Sequence, residues 1–316
     1  MIAQSLKGAI DDEALVRACR HPPPAMVWKP LIYLVLLGLS TVAGSRLLEP
    51  WNLLAQTFAA ANAVLLYTIL HDASHYHVSA NGRLNNFVGG CVALVLGTSL
   101  TAYRVTHLRH HGRLRTPDDP QEAVYIKPES QVITALALML AAVVGAAFFL
   151  LARVPRVGLQ SARHRWRVVG ELTAALALHA TVVWVLWHTQ PAVFVSLIRV
   201  ACLATVLGSL LDINYHQGFP IPYEGLASRS FDSPRLVGWL LNGHNRHAEH
   251  HAFPWIPTCN LNRISPKVRQ LLIENGAIYE PGYLHTLIRC VIVNPLFLPP
   301  SRHHSAKVTT PEEGSV

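Results

Sequence analysis

The sequence has 316 residues, 51% of them hydrophobic and only 14% charged, which excludes an ordinary water-soluble globular chain and points to lipid as the solvent. The formal charge of +8 fits a membrane surface or the positive-inside bias of a membrane protein, and in so apolar a chain nucleic acid is set aside as a partner. The five cysteines, at 19, 91, 202, 259 and 290, stand singly, without the C-x-x-C pair or the even framework that staples small secreted domains.

Residues 1–30 are polar, end in the run Pro22-Pro23-Pro24 and match neither a signal peptide nor a transit peptide. They read as a cytoplasmic N-terminal segment, so internal apolar runs must direct insertion. A membrane crossing takes about 20 apolar residues, and six runs approach that length: Leu31–Ala43, Leu53–Leu70, Phe87–Tyr103, Val132–Ala152, Val168–Trp187 and Pro191–Leu211. The first two meet at Glu49-Pro50 and read as a helical hairpin over 31–70. The last two meet at His188-Thr189-Gln190 and read as a second hairpin.

Charge sets the orientation. The loop carrying Arg153, Arg156, Arg163, Arg165 and Arg167 belongs in the cytoplasm. If the histidine-rich stretches after Leu70 and near residue 110 share that side, neither Phe87–Tyr103 nor Val132–Ala152 can cross completely, and both are expected to be re-entrant or to lie in the membrane plane. Four crossings result. The expected fold is an all-α integral membrane protein of two hairpins with a cytoplasmic helical cap, as one domain over 31–300: histidine boxes one and two in 71–130, the in-plane segment and second hairpin in 131–211, and the cap over 212–300. The apolar run Thr286–Leu298 is broken by Arg289 and Pro295 and reads as packing, not as a fifth crossing; residues 301–316 read as a polar tail. Trp28, Trp51, Trp184 and Trp187, near segment ends, read as interface anchors.

The histidines carry the chemistry. Nine of the eighteen fall in the short windows 71–75, 107–111 and 244–251, where an even spread would place about one. His71 and His75 in HDASH are four apart. His107, His110 and His111 in HLRHH, and His247, His250 and His251 in HAEHH, combine offsets of three and four, which share one face of a helix. Eight imidazoles at the ends of apolar segments exceed what one ion takes, since a catalytic zinc uses three protein ligands and water. They predict a dinuclear site holding Zn, Cu, Fe or Ni. His216 in LDINYHQG is a further ligand candidate, because the second hairpin returns it to the same side. Asp212, one turn earlier, is expected to reach metal through water or to orient a histidine, a role also open to Asp72, Asp118, Asp119 and Glu249. His244 lies in the third cluster but outside its H-x-x-H-H pattern, and both readings stay open for it. His77, His164, His179, His188, His285, His303 and His304 are isolated and read as interfacial or core side chains.

The order HDASH, then HLRHH followed by TPDDP, then HAEHH followed by FPWIP resembles the three-box signature of membrane fatty acid desaturases and related hydroxylases, from about residue 31 to 272. The resemblance implies a mushroom-like four-crossing protein whose cytoplasmic di-iron centre (Fe2+/Fe3+) uses O2 as co-substrate to break an unactivated C–H bond. It implies His71, His75, His107, His110, His111, His216, His247, His250 and His251 as iron ligands, and an apolar tunnel holding an acyl chain. Asp212 stands where desaturases of this type carry an Asn that reaches iron through water, which puts that particular role in doubt.

No haem-binding domain fits before Leu31, so electrons are expected from a separate ferredoxin, cytochrome b5 or reductase, and the bacterial inner membrane is the expected location. The same boxes serve a hydroxylase or ketolase acting on a carotenoid or other apolar compound, which product analysis separates from a desaturase. Histidines with a carboxylate also suit a membrane zinc hydrolase, which oxygen dependence separates.

Overall fold

The computed structural model describes residues 13–121, 131–219, 223 and 225–289. Cys290, the end of the run toward Leu298, His303, His304 and the tail 301–316 lie outside the described residues.

A short helix α1 (Glu13–Cys19) precedes the first hairpin, α2 (Ala25–Arg46) and α3 (Trp51–Ser74). These helices have 22 and 24 residues, and at about 1.5 Å per residue both exceed a hydrocarbon core of about 30 Å. The second hairpin is α8 (Arg165–Thr189) and α9 (Pro191–His216), turning at Gln190. Both hairpins extend past the ends of their apolar runs, because the polar residues that close them, including His71 and His216, continue the helix. Only 11% of the most apolar stretch of α8 is covered by protein, and Leu176, Trp184 and Trp187 point outward. Bare apolar surface on this scale requires lipid.

Phe87–Tyr103 is not one straight helix. It divides into α4 (Gly82–Val95) and α5 (Leu100–Arg113), bent through 100°, the shape a re-entrant segment needs. Gly97 supplies the positive φ of the turn, at +73°. Val132–Ala152 lies in one continuous helical run: α6 (Gln131–Phe148) passes through a π-helical turn, Phe149–Arg153, into α7 (Val154–Gln160). The stretch 136–160 is long and apolar enough to cross, so five helices pass that test among the described residues, and six if the bent pair is one span. The run does not stop at Arg153 because that side chain reaches away to donate from Nε to the Pro120 carbonyl at 2.9 Å.

Beyond His216 lies the cap: strand β1 (Arg229–Phe231), α10 (Arg235–Leu240), α11 (His247–Ala252), α12 (Leu261–Glu274), strand β2 (Ile278–Glu280) and α13 (Tyr283–Leu287). The two strands pair in parallel, Ser230 opposite Tyr279, so the protein is mostly helical and not all-α. Three-residue strands, fully buried in β1, carry no alternating pattern to read. The cap is tied to the first hairpin by polar bonds. Lys29 Nζ donates to the Trp239 carbonyl (2.6 Å) and Asn242 Oδ1 (2.8 Å), Tyr33 to the Leu240 carbonyl (3.1 Å), and Asn242 Nδ2 to Thr68 Oγ1 (2.9 Å).

The helix that carries the second box is fixed at its start and along its side. Ser99 caps α5, accepting from Ala102 N, and Glu171 of α8 closes the same end: it accepts from Ser99 Oγ (2.5 Å), Thr101 N (2.9 Å), Thr101 Oγ1 (2.7 Å) and Arg167 Nε (2.9 Å). A carboxylate here also meets the positive end of the helix dipole. Gly158 lies so close to α5 that a Cβ there would sit 2.5 Å from the Ala102 Cβ. Removing the carboxylate strands several donors at once. We expect Glu171→Ala to cost about 1–3 kcal/mol, read as a lower midpoint of thermal unfolding in detergent together with reduced metal content.

Candidate metal centre

Four segments meet at the cap-facing ends of the membrane helices. The end of α3 carries His71 and His75, α5 carries His107, His110 and His111, the last residue of α9 is His216, and α11 carries His247, His250 and His251. His71, His75, His107, His111 and His250 form one cluster whose ligand nitrogens all lie within 4.8 Å of one another, and His110, His216 and His251 form a second. His247 joins the second, its Nε2 lying 3.0 Å from that of His216 and 3.2 Å from that of His251. The clusters adjoin, with the rings of His111 and His251 stacked at 4.3 Å.

The boxes thus do not each serve one ion. In each H-x-x-H-H box the i,i+4 pair turns to one cluster and the remaining histidine to the other: His107 and His111 against His110, His247 and His251 against His250. The i+3 residue is rotated from the pair by a fraction of a turn, enough to aim it at the neighbouring cluster.

The donor set fits metal. The Nε2 atoms of His71, His75 and His110 are buried without any hydrogen-bond partner, an arrangement that is costly unless something else binds them. Nε2 of His111 lies 3.0 Å from those of both His107 and His250. An ion bound at about 2.1 Å separates ligands at right angles by about 3.0 Å, and tetrahedral ligands by about 3.4 Å. The observed spacings of 3.0 to 3.2 Å place these nitrogens within reach of a common ion. Burial, and after it the neighbouring imidazoles, holds His75, His247, His250 and His251 well below the usual histidine range, so they are neutral ligands at pH 7.

Several Nδ1 atoms are held from behind, which presents Nε2 to the centre. Asp119 accepts from His110 Nδ1 at 2.9 and 3.0 Å and is itself fixed by the N–H groups of Arg115 (3.1 Å) and Gln121 (2.9 Å). His216 Nδ1 donates to the Ala227 carbonyl at 2.8 Å. Asp72 Oδ1 faces His71 Nδ1 (3.3 Å) and accepts from His244 Nε2 (3.1 Å) and Thr258 Oγ1 (2.7 Å). His244 also meets His71 ring to ring at 4.4 Å, and with His71 and Asp72 it forms a third group whose ligand atoms lie within 4.8 Å of one another.

Other sequence candidates lie elsewhere. Asp118 is exposed and paired with Arg113 at 2.7 Å. Glu249 is buried but bonded by the hydroxyls of Ser230 and Ser265, and this pins α11 to β1 and α12. Of the histidines read as isolated, His179 and His188 bond carbonyls one helical turn back. His77 is buried and stacks on His75 at 5.3 Å, and burial pushes it down to about 4. Asp212 is half-buried and lines a narrow cavity of about 20 Å³ with Tyr67, Tyr103, Tyr215, His71 and His247. That is room for about one small molecule. Tyr215 stacks on His247 at 4.0 Å and bonds Tyr283 at 3.3 Å. The sequence reading missed these tyrosines; adjacency to His216 was the one available sign for Tyr215.

With this geometry in view, the comparison with known proteins is decisive. The profile of the fatty acid desaturase family matches residues 48–283, most of the chain and all nine clustered histidines. The chain belongs to the fatty acid desaturase family. Curated relatives share it at modest identity. An acyl-lipid 8-desaturase of Rebecca salina is 30% identical over 138 residues, 40% of this chain and 31% of that protein. An acyl-lipid (9-3)-desaturase of Physcomitrium patens is 32% identical over 77 residues, 20% of this chain and 15% of the relative. The Delta(5) fatty acid desaturase fat-4 of Caenorhabditis elegans is 37% identical over 54 residues, 17% and 12%. The matched part of the chain spans less than a third of the length of each relative.

Two outcomes are expected of this desaturase-family centre. Asp119→Ala releases His110 from its support and lowers metal affinity by about 10–100-fold, measured by metal retention during dialysis against a chelator. The pH response follows from the depressed imidazoles: the unfolded chain takes up protons first as pH falls below about 6.5, so stability is greatest above that value and is lost progressively below it. Unfolding midpoints and bound metal, measured from pH 8 to pH 5, should fall together.

Proposed function

We propose that the protein is an oxygen-dependent di-iron desaturase that introduces a double bond into a fatty acyl chain carried on a lipid. The observation that carries this reading is the division of nine histidines, seven of them buried and His75 and His111 half-buried, into adjoining clusters of five and four. One ion is assigned to His71, His75, His107, His111 and His250, the other to His110, His216, His247 and His251. The names of the relatives, two of them acyl-lipid desaturases, support a lipid-borne chain.

When bound, the two irons supply the oxygen chemistry that removes hydrogen from an unactivated methylene. The residues do the rest. Asp119 and the Ala227 carbonyl hold Nδ1 protons and keep the opposite nitrogens aimed inward. Asp72 does the same for His71, and His244 and Thr258 fix Asp72. Tyr67, Tyr103 and Tyr215 wall the narrow cavity beside the clusters and keep bulk water out, which an oxidant of this strength requires. Asp212 is the carboxylate on that wall and is assigned to hold a water or a proton there. In the net reaction the acyl chain gives up two hydrogens with two electrons, an external donor gives two more with two protons accompanying them, and O2 becomes two waters. The donor is assigned to a separate ferredoxin, cytochrome b5 or reductase.

Four crossings, with α4–α5 re-entrant and α6–α7 lying in the membrane plane, would keep all the boxes on one face, and the arginine-rich segment 153–167 supports placing that face in the cytoplasm of a bacterial inner membrane. Purified protein should contain near two irons per chain, with Mössbauer spectra of an iron-57 sample that change on exposure to oxygen, and a lipid product short of two hydrogens. A product gaining an oxygen atom would make the enzyme a hydroxylase. One zinc per chain without oxygen response under iron-replete expression would overturn the oxidase reading.

A further inference from the structure

A second cavity, of about 460 Å³, opens at the foot of α2, where residues 23–29 face the stretch 233–246 that leads into the third box. It is separate from the narrow space beside the histidines, and nothing above uses it. Its volume is that of a small-molecule site.

Among the described residues the lining carries three cations, Lys29, Arg235 and Arg246, and no carboxylate. Lys29 is buried, and its ammonium donates to the Trp239 carbonyl and Asn242 and lies 4.1 Å from the centre of the Trp239 ring, so it contributes positive charge to the wall more than a free donor. Arg246 is partly committed to Asn262 (2.8 Å) and to Asp232 (3.0 Å), a carboxylate that Arg269 also neutralises. Arg235 is exposed and makes no ion pair among the described residues. Asn245 is 2% exposed, and its Oδ1 is buried without a partner while its Nδ2 donates to the Phe231 carbonyl. Cations facing a cavity free of carboxylates suit an anion, above all a phosphate. An orphaned acceptor beside them suits a hydroxyl on the same ligand.

The location says where such a ligand comes from. Lys29 stands in the second turn of a helix of spanning length, and Trp239, which lines the cavity, is exposed, as are Leu236 three residues before it and Trp28 beside Lys29. Tryptophan, lysine and arginine together mark the head-group depth of a bilayer. The floor backs onto the metal centre: Asn242, Gly243 and Cys259 line the cavity, and their chain neighbours His244 and Thr258 both bond Asp72.

We propose that this cavity binds the phosphate and an adjoining hydroxyl of a membrane phospholipid head group, and so selects a phospholipid as carrier of the acyl chain. The word carrier rests on the desaturase reading above; the binding does not.

The test takes the full, metal-loaded chain in detergent micelles and measures binding of radiolabelled dioleoylphosphatidylglycerol, dioleoylglycerol, oleoyl-coenzyme A and inorganic phosphate. Phosphatidylglycerol should bind saturably and dioleoylglycerol, lacking phosphate, should not. Arg235→Glu should weaken phosphatidylglycerol binding about ten-fold or more, while Lys267→Glu, a charge reversal outside the cavity, leaves it unchanged. Equal binding of the two lipids, or indifference to Arg235→Glu, overturns the site. Oleoyl-coenzyme A or inorganic phosphate preferred over phosphatidylglycerol, with the same Arg235 dependence, overturns the phospholipid assignment. Iron content read on the same samples separates the two readings: selective lipid binding by a chain that takes up no iron leaves this site standing and sinks the desaturase.

Discussion

Nine imidazoles gathered into one dry space at the ends of membrane helices set the terms for everything around them. Each is a polar group withdrawn from water, and several have no hydrogen-bond partner for the nitrogen that faces inward, so the arrangement is stable only with something that accepts those lone pairs. Bound metal would meet that demand. The chain must then hold the donors in place before the ions arrive, because each unpaired nitrogen is a cost without them.

That holding is done by groups of two kinds. Carboxylates and a carbonyl behind the rings, Asp72, Asp119 and Ala227, fix which nitrogen carries the proton. Helix-level contacts fix where the rings stand: Glu171 closes the start of α5, Gly158 lets α7 lie against it, and Lys29, Tyr33 and Asn242 join the cap to the first hairpin. The same helices present apolar side chains to lipid, so membrane insertion and site assembly are consequences of one fold. The cap completes the site by bringing α11 against the ends of α3, α5 and α9, with Glu249 held between two serines to anchor it.

Much of this was legible from residue order. HDASH, HLRHH and HAEHH named the histidines that cluster because offsets of three and four have a fixed meaning on a helix, and the runs beside Glu49-Pro50 and His188-Thr189-Gln190 named two helical hairpins because apolar length is read directly against bilayer thickness. Less was legible where meaning depends on distant partners. Asp72 and Asp119 were two of five equivalent carboxylates in the sequence; Asp118 and Glu249 differ from them only in what they touch. Tyr67, Tyr103 and Tyr215 gave no pattern, being single residues on three helices. The paired strands were too short to show a period, and the continuation of α6 through a π-helical turn into α7 has no counterpart in composition.

The sequence by itself therefore determined the apolar character of the helices and which histidines stand at their ends, since hydrophobic length and residue spacing are local properties of the chain. Only the tertiary structure decided how the histidines divide, with His110 apart from His107 and His111, and His250 apart from His247 and His251. It also decided which carboxylates stand behind them, and that Lys29, from the start of the chain, meets Arg235 and Asn245 around one cavity. Those facts depend on the angles at which helices cross and on residues some two hundred positions apart, which packing fixes and spacing along the chain does not encode.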